Sequence, residues 1–188
     1  MSTHCNILTM ENSLLVVIDV QTRLVSTLPD TDAAQMLKNG ASLLKAADTL
    51  KIPVIVTEQY PKGLGHTDPQ LINQLPKNSS VYDKTGFSCC TADGFVEFIK
   101  NSSRKQIILM GMETHVCVLQ TAFELLENNY QVYIVEDTTC SRNTDHKYYA
   151  LQRMQQHGAT ITCYESVLFE WLQNSNHPDF KTISKLIR

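Results

Sequence analysis

The sequence predicts an α/β fold: a three-layer αβα sandwich built on a Rossmann-like parallel sheet of roughly six strands. Two observations carry that reading. Short runs of β-branched and aliphatic residues recur without polar interruption, as strands buried on both faces require. Segments of helical period separate them in strict alternation, which implies right-handed crossovers and helices on both sides of the sheet.

The elements follow in order. Leu14 to Ile18 is the first apolar run, and it ends on Asp19. Apolar positions at Met36, Leu37, Leu43, Leu44, Ala47 and Leu50 give Ala33 to Leu50 a helical period, and Val54 to Val56 after Pro53 completes one βαβ unit. Glu58 to Lys77 is rich in Pro and Gly with little periodicity, so it reads as a long loop leading to a short strand at Val81-Tyr82. Further on, a helix from about Asp93 to Lys100 precedes the strand Gln106 to Met110. A helix from about His115 to Glu127 leads to the strand Val132 to Val135. Asp145 to His157 is the next helix, before the strand Thr160 to Thr162. Val167 to Trp171 and Pro178 to Ile187 read as closing helices.

The chain has 188 residues, 43% of them hydrophobic and 19% charged. This suits one globular domain over 1–188 that packs without disulfides or a structural metal, with a flexible N-terminus over 1–12. Net charge is -3, and no basic cluster exceeds Arg104-Lys105, so a phosphate-binding surface and a nucleic-acid partner are not expected. Met1 to Asn12 lacks a basic start and an apolar run, and no stretch is long enough to cross a bilayer. A cytoplasmic protein without membrane contact is expected. The six cysteines have no CxxC spacing and suit reduced thiols.

In an open parallel sheet ligands bind beyond the carboxyl ends of the strands. Asp19 at the end of the first strand, Lys84 after the third and Gly111 to Cys117 after the fourth therefore meet on one rim. Cys117 lies near an expected helix start, where backbone N–H groups and the helix dipole lower a thiol's pKa. Taken singly, each residue has a plain alternative. Cys117 could be a packed small hydrophobe, Asp19 a cap and Lys84 a solvated charge.

Three motifs in chain order bear a resemblance. Leu15-Val-Val-Ile-Asp-Val-Gln21, Tyr82-Asp-Lys-Thr-Gly-Phe-Ser88 and Gly111-Met-Glu-Thr-His-Val-Cys-Val118 resemble the aspartate, lysine and nucleophile motifs of the isochorismatase-like cysteine hydrolases. The similarity continues through Glu136 to Arg142, Glu165 to Glu170 and His177 to Lys181. These last segments resemble the small single-domain branch called isochorismatase domain-containing.

The resemblance implies the isochorismatase-like hydrolase fold, with Asp19, Lys84 and Cys117 as the catalytic group. It also implies a cis peptide at Met112-Glu113 and an oxyanion hole from the backbone N–H groups of Glu113 and Cys117. The reaction expected is hydrolysis of a small-molecule amide through a thioester, with a non-catalytic scaffold and a thiol redox protein as alternatives. Gln21, Gln59, Tyr60, Phe87 and Val116 are candidates for the substrate pocket. No cofactor is expected, and no metal, because His66 stands without a second histidine at ligand spacing. Gly63-Leu-Gly65 reads as a turn rather than a phosphate loop, since it lacks the strand-turn-helix context. Cys89-Cys90 could sense redox state or could simply be two small residues. Arg142 could line the rim, an interface, or neither. A homo-oligomer is expected, with Leu168, Phe169 and Trp171 offering an apolar contact.

Overall fold

The computed structural model describes residues 6–187. Six strands form one sheet: β1 (Ser13–Ile18), β2 (Val54–Gln59), β3 (Ser80–Lys84), β4 (Gln106–Met112), β5 (Gln131–Cys140) and β6 (Thr160–Thr162). All neighbours are parallel, in the order β3-β2-β1-β4-β5-β6. The helices are α1 (Thr22–Val25), α2 (Asp30–Thr49), α3 (Pro61–Leu64), α4 (Pro69–Ile72), α5 (Phe95–Ser102), α6 (Leu119–Glu127), α7 (Thr144–Gln156), α8 (Tyr164–Leu172) and α9 (Phe180–Ile183).

The period-2 geometry of a strand explains the two cores. From β1, Leu15 and Val17 pack with α2 and α8, through residues such as Leu43, Leu44, Leu168 and Trp171. Leu14, Val16 and Ile18 point the other way, onto Phe95 of α5, Leu125 of α6 and Met154 of α7. Both faces of β1 are thus covered, which is why its sequence shows no polar alternation. Acidic residues Asp30 and Asp32 occupy the first turn of α2, where the helix dipole favours them.

Several boundaries differ from the sequence expectation. β3 and β4 extend further at their C-terminal ends, so Lys84 is the last residue of β3 rather than one that follows it. β5 continues through the polar stretch Glu136 to Cys140, because Gly111 and Met112 of β4 pair with Thr139 and Cys140 after a register shift. The long loop holds two single-turn helices, each with proline in its first turn; at α4 the Asp68 carboxylate accepts from the Gln70 N–H.

The N-terminus also needs correction. Residues 6–12 are not a loose lead: Leu8 is fully buried, its N–H donates to Glu170 at 2.8 Å, and the Thr9 N–H donates to Gln106 at 2.9 Å. The rest of the expected flexible segment, with Cys5, lies outside the described residues. Leu168 and Trp171 turn inward and are buried, so of the three proposed contact residues only Phe169 faces outward. No helix among the described residues is long and apolar enough to cross a membrane.

Candidate active site

The sheet order places β1 and β4 side by side with their crossovers leaving in opposite directions, the crevice where such sheets bind ligands. Their C-terminal ends come unusually close. A Cβ on Gly111 would collide with the Ile18 carbonyl oxygen, and Gly111 sits at φ 121, a conformation open to glycine. Asp19 follows immediately after β1 at φ 51, a left-handed conformation that Asp tolerates better than most residues.

That turn puts the Asp19 side chain inside the protein, fully buried, with both oxygens engaged. Thr57 Oγ1 donates to Oδ1 at 2.8 Å, and Lys84 Nζ donates to Oδ2 at 2.6 Å. Lys84 Nζ also donates to Gln59 Oε1 at 2.9 Å, to the Phe87 carbonyl at 3.0 Å and to the Gly86 carbonyl at 3.3 Å. An ammonium has three protons, so these acceptors occupy all of them. Burial alone would pull the lysine pKa down, but the Asp19 carboxylate, with the Cys89 and Cys117 sulfurs, outweighs it and leaves the ammonium raised. Lys84 is therefore a charge that holds Asp19 and the 85–87 loop together.

Cys117 is buried and lies in the turn Thr114–Val118, whose hydrogen-bond pattern is that of a π-helix leading into α6. The thiol lies within electrostatic reach of the Asp19 carboxylate. The sequence expectation of a lowered thiol pKa is corrected here. Burial, followed by the Asp19 carboxylate, pushes the thiol well above its ordinary value, and Lys84 opposes this only in part. Desolvation of a thiolate outweighs the helix-start effect because the sulfur is enclosed. A thiol with a raised pKa thus sits beside a carboxylate whose two oxygens are held by a threonine and a lysine.

The Met112-Glu113 peptide is cis. Arg142 fixes Glu113 beside it: Nε donates to Oε1 at 2.9 Å, Nη2 to Oε2 at 3.3 Å, and the Arg142 backbone N–H to Oε1 at 3.1 Å. Burial would raise the Glu113 carboxyl, but the bonds to Arg142 bring it below its usual range. Arg142, left open in the sequence, thus braces the segment before Cys117. The Glu113 carbonyl accepts from the Val116 and Val118 N–H groups at 3.0 and 3.3 Å, which shapes the turn.

The pocket candidates divide. Gln21 is fully buried and its amide is spent on backbone: Nε2 donates to the Gln59 and Gly65 carbonyls, and Oε1 accepts from the Gln59 N–H at 2.7 Å. It pins the long loop to β1 and has no polar atom to offer a substrate. Gln59 is tied to Lys84 and to the Thr85 carbonyl. Tyr60 and Phe87 are exposed, and Tyr60 joins Lys62, Asp83 and Lys84 around an open cavity of about 490 Å³. Val116 is partly buried against the core under α5 and α6.

Sequence reasoning missed Thr57 and weighed Cys89 only as half of a redox pair with Cys90; both lie behind Asp19. A threonine in the otherwise apolar start of β2, in register with Ile18, was a readable signal for the first. Nothing in the sequence marked Cys89 for a place behind Asp19. His66 is exposed and bonds Glu58 at 2.8 Å. Among the described residues no group of three or more His, Cys, Asp or Glu could hold a metal ion.

Comparison with known proteins places this geometry in a family. The isochorismatase domain model matches residues 13–166. Isochorismatase domain-containing protein 2 of Xenopus laevis is 40% identical over 154 residues, covering 81% of this chain and 73% of that protein. The structure of MAR1 ribonuclease from Caenorhabditis elegans has a TM-score of 0.91 at 39% identity, covering 96% of this chain and 91% of that one. The YcaC gene product of Escherichia coli, described as an octameric hydrolase of unknown specificity, has a TM-score of 0.83 at 25% identity and covers 95% of each chain. With a family model over most of its length and the same six-stranded sheet with helices on both sides as these neighbours, this chain belongs to the isochorismatase family and has its hydrolase fold.

Proposed function

We propose that the protein is a cysteine-dependent hydrolase that cleaves the C–N bond of a small carboxamide through a thioester. One observation carries this reading: a fully buried carboxylate, Asp19, is paired with the Lys84 ammonium, and its charge acts on the Cys117 thiol enclosed beside it. The raised thiol keeps its proton at rest, so a base must take that proton as the sulfur attacks. Asp19 is the carboxylate whose charge acts on that thiol. Attack of Sγ on the carbonyl carbon forms the C–S bond and sends an electron pair to oxygen, which the Glu113 and Cys117 N–H groups receive. Collapse of the intermediate expels the amine with the proton held by Asp19. Water then attacks the thioester, Asp19 accepts its proton, and the acid and free thiol are released. Lys84 touches no substrate in this scheme; it holds Asp19 in place.

We further propose one domain over 1–188, a cytoplasmic location, a small-molecule substrate and a homo-oligomer. The octameric description of YcaC supports the last of these. The ribonuclease designation of the nematode neighbour makes RNA hydrolysis a second reading. The net charge of -3 and a lysine already saturated by protein acceptors favour the amide. A panel of aliphatic and aromatic carboxamides, run beside single-stranded RNA and a Cys117→Ala control, separates them. Amide turnover lost in the control is expected. RNA cleavage without amide turnover, or full amide activity in the control, contradicts the proposal.

A further inference from the structure

Behind Asp19 lies a buried thiol that the proposed reaction does not use. Cys89 Sγ is 3.5 Å from Thr57 Oγ1, and both residues are fully buried. Hydrogen-bond bookkeeping fixes the direction of the contacts. The Asp19 carboxylate can only accept, so Thr57 must spend its single hydroxyl proton on Oδ1, at 2.8 Å. The contact with Cys89 then needs the thiol as donor. That proton is present at neutral pH, because burial and then the Asp19 charge push the Cys89 thiol up to about 12.

Cys89 is itself placed by the nucleophile's helix. Its N–H donates to Thr121 Oγ1 at 2.9 Å, and Thr121 Oγ1 donates to the Cys117 carbonyl at 2.7 Å. The chain of bonds runs from the Cys117 backbone through Thr121, Cys89 and Thr57 to Asp19, whose charge acts on the Cys117 thiol. The groups facing Asp19 are Thr57 from β2, Lys84 from β3, Cys89 from the turn after β3 and Cys117 from the turn after β4.

We propose that Thr57 and Cys89 are a positioning pair: Cys89 orients the Thr57 hydroxyl, and Thr57 holds the Asp19 carboxylate in the one orientation that meets the Cys117 thiol. The pair acts through Asp19 and touches no substrate. It rests on the reading of Asp19 as the base.

The test needs no substrate. The rate at which iodoacetamide alkylates Cys117 is followed against pH in the full-length protein, with the modified peptide identified by mass spectrometry. Without Thr57 the carboxylate is free to turn from the thiol and no longer stands ready to take its proton. Thr57→Val should therefore slow alkylation at neutral pH by about tenfold, the worth of one hydrogen bond to a charged group. Thr57→Ser keeps the hydroxyl and should restore the profile. Cys89→Ala should slow the reaction by about threefold, as for one neutral hydrogen bond, and Cys89→Ser should restore it.

A Thr57→Val profile equal to wild type, or a Thr57→Ser protein as slow as Thr57→Val, overturns the pair. If Thr57→Val does not fold, the Cys89→Ala and Cys89→Ser comparison decides in the same way. Asp19→Asn distinguishes the two levels. An unchanged profile there removes Asp19 as the base and the pair with it, whereas a changed Asp19→Asn profile beside unchanged Thr57 and Cys89 variants removes the pair alone.

Discussion

Cys117 and Cys140 make an instructive pair. They lie beyond and at the C-terminal ends of adjacent strands, since Met112 of β4 is in register with Cys140 of β5. Both are buried, and burial raises both thiols, Cys140 to about 11. Cys140 lines a cavity of about 430 Å³ between the start of α2 and α7, with Asp32, Glu136, Asp137 and Lys147 around it. Its sulfur hydrogen-bonds the Asp32 carbonyl at 3.7 Å. Glu136 is paired with Lys147 at 2.6 Å, and Asp137 accepts from the Tyr164 N–H at 2.8 Å. Cys117 has a buried carboxylate acting on its thiol and a lysine paired with that carboxylate. Under the proposed reaction, the base and its counter-ion make the difference.

The comparison breaks most directly at the sulfurs. Cys117→Ala should reduce turnover by at least about a thousandfold, as removal of a covalent nucleophile does, while Cys140→Ala should leave kcat unchanged. Initial rates on the same amide check both. Lys84→Met comes next. It leaves a buried carboxylate without its partner, and should cost about 3–5 kcal/mol in urea unfolding as well as activity. Lys147→Met, whose partner Glu136 is partly exposed, should cost far less.

Gly111→Ala sharpens the comparison at the level of backbone. Its Cβ has no room against Ile18 and its φ is positive, so a loss of more than about 1 kcal/mol is expected, with turnover falling because Cys117 follows on the same segment. The smallest effect is on alkaline stability, and it is shared by the two cysteines. Cys89, Cys90 and Cys140 stand at about 12, 11 and 11, above the ordinary 9.0, and Cys117 is raised too. Folded pKa values above the unfolded ones mean that the unfolded chain releases protons first. Stability from these thiols is therefore complete below pH 9.0 and lost as pH climbs toward 11. Urea midpoints measured across that range should fall, and Cys140→Ala should flatten part of the decline.

The strands were legible where burial on both faces left uninterrupted apolar runs, as in β1 and β4. They were not legible where pairing alone defines them. Glu136 to Cys140 has no apolar period and joins β5 only through Gly111 and Met112. Helices α3 and α4 are single turns, too short to show a period. The rim of Asp19, Lys84 and Cys117 could be placed from strand ends and motifs, because topology brings strand ends together. The state of the thiol could not, since desolvation depends on what encloses it. Gln21, read as a pocket residue, spends its amide on backbone three-dimensionally near it, and the apolar stripe of α8 faces inward because β1 supplies its partner surface. Neither fact has a signature in the local sequence.

The central claim is that Cys117, and not another thiol, carries the acyl group. Rapid acid quench during turnover of an active carboxamide, followed by peptide mass spectrometry, measures this. The account predicts a mass increase equal to the acyl group on the peptide that contains Cys117, lost in Asp19→Asn and absent from the peptide that contains Cys140. Turnover with the adduct on another cysteine, or undiminished turnover by Cys117→Ala, would contradict it.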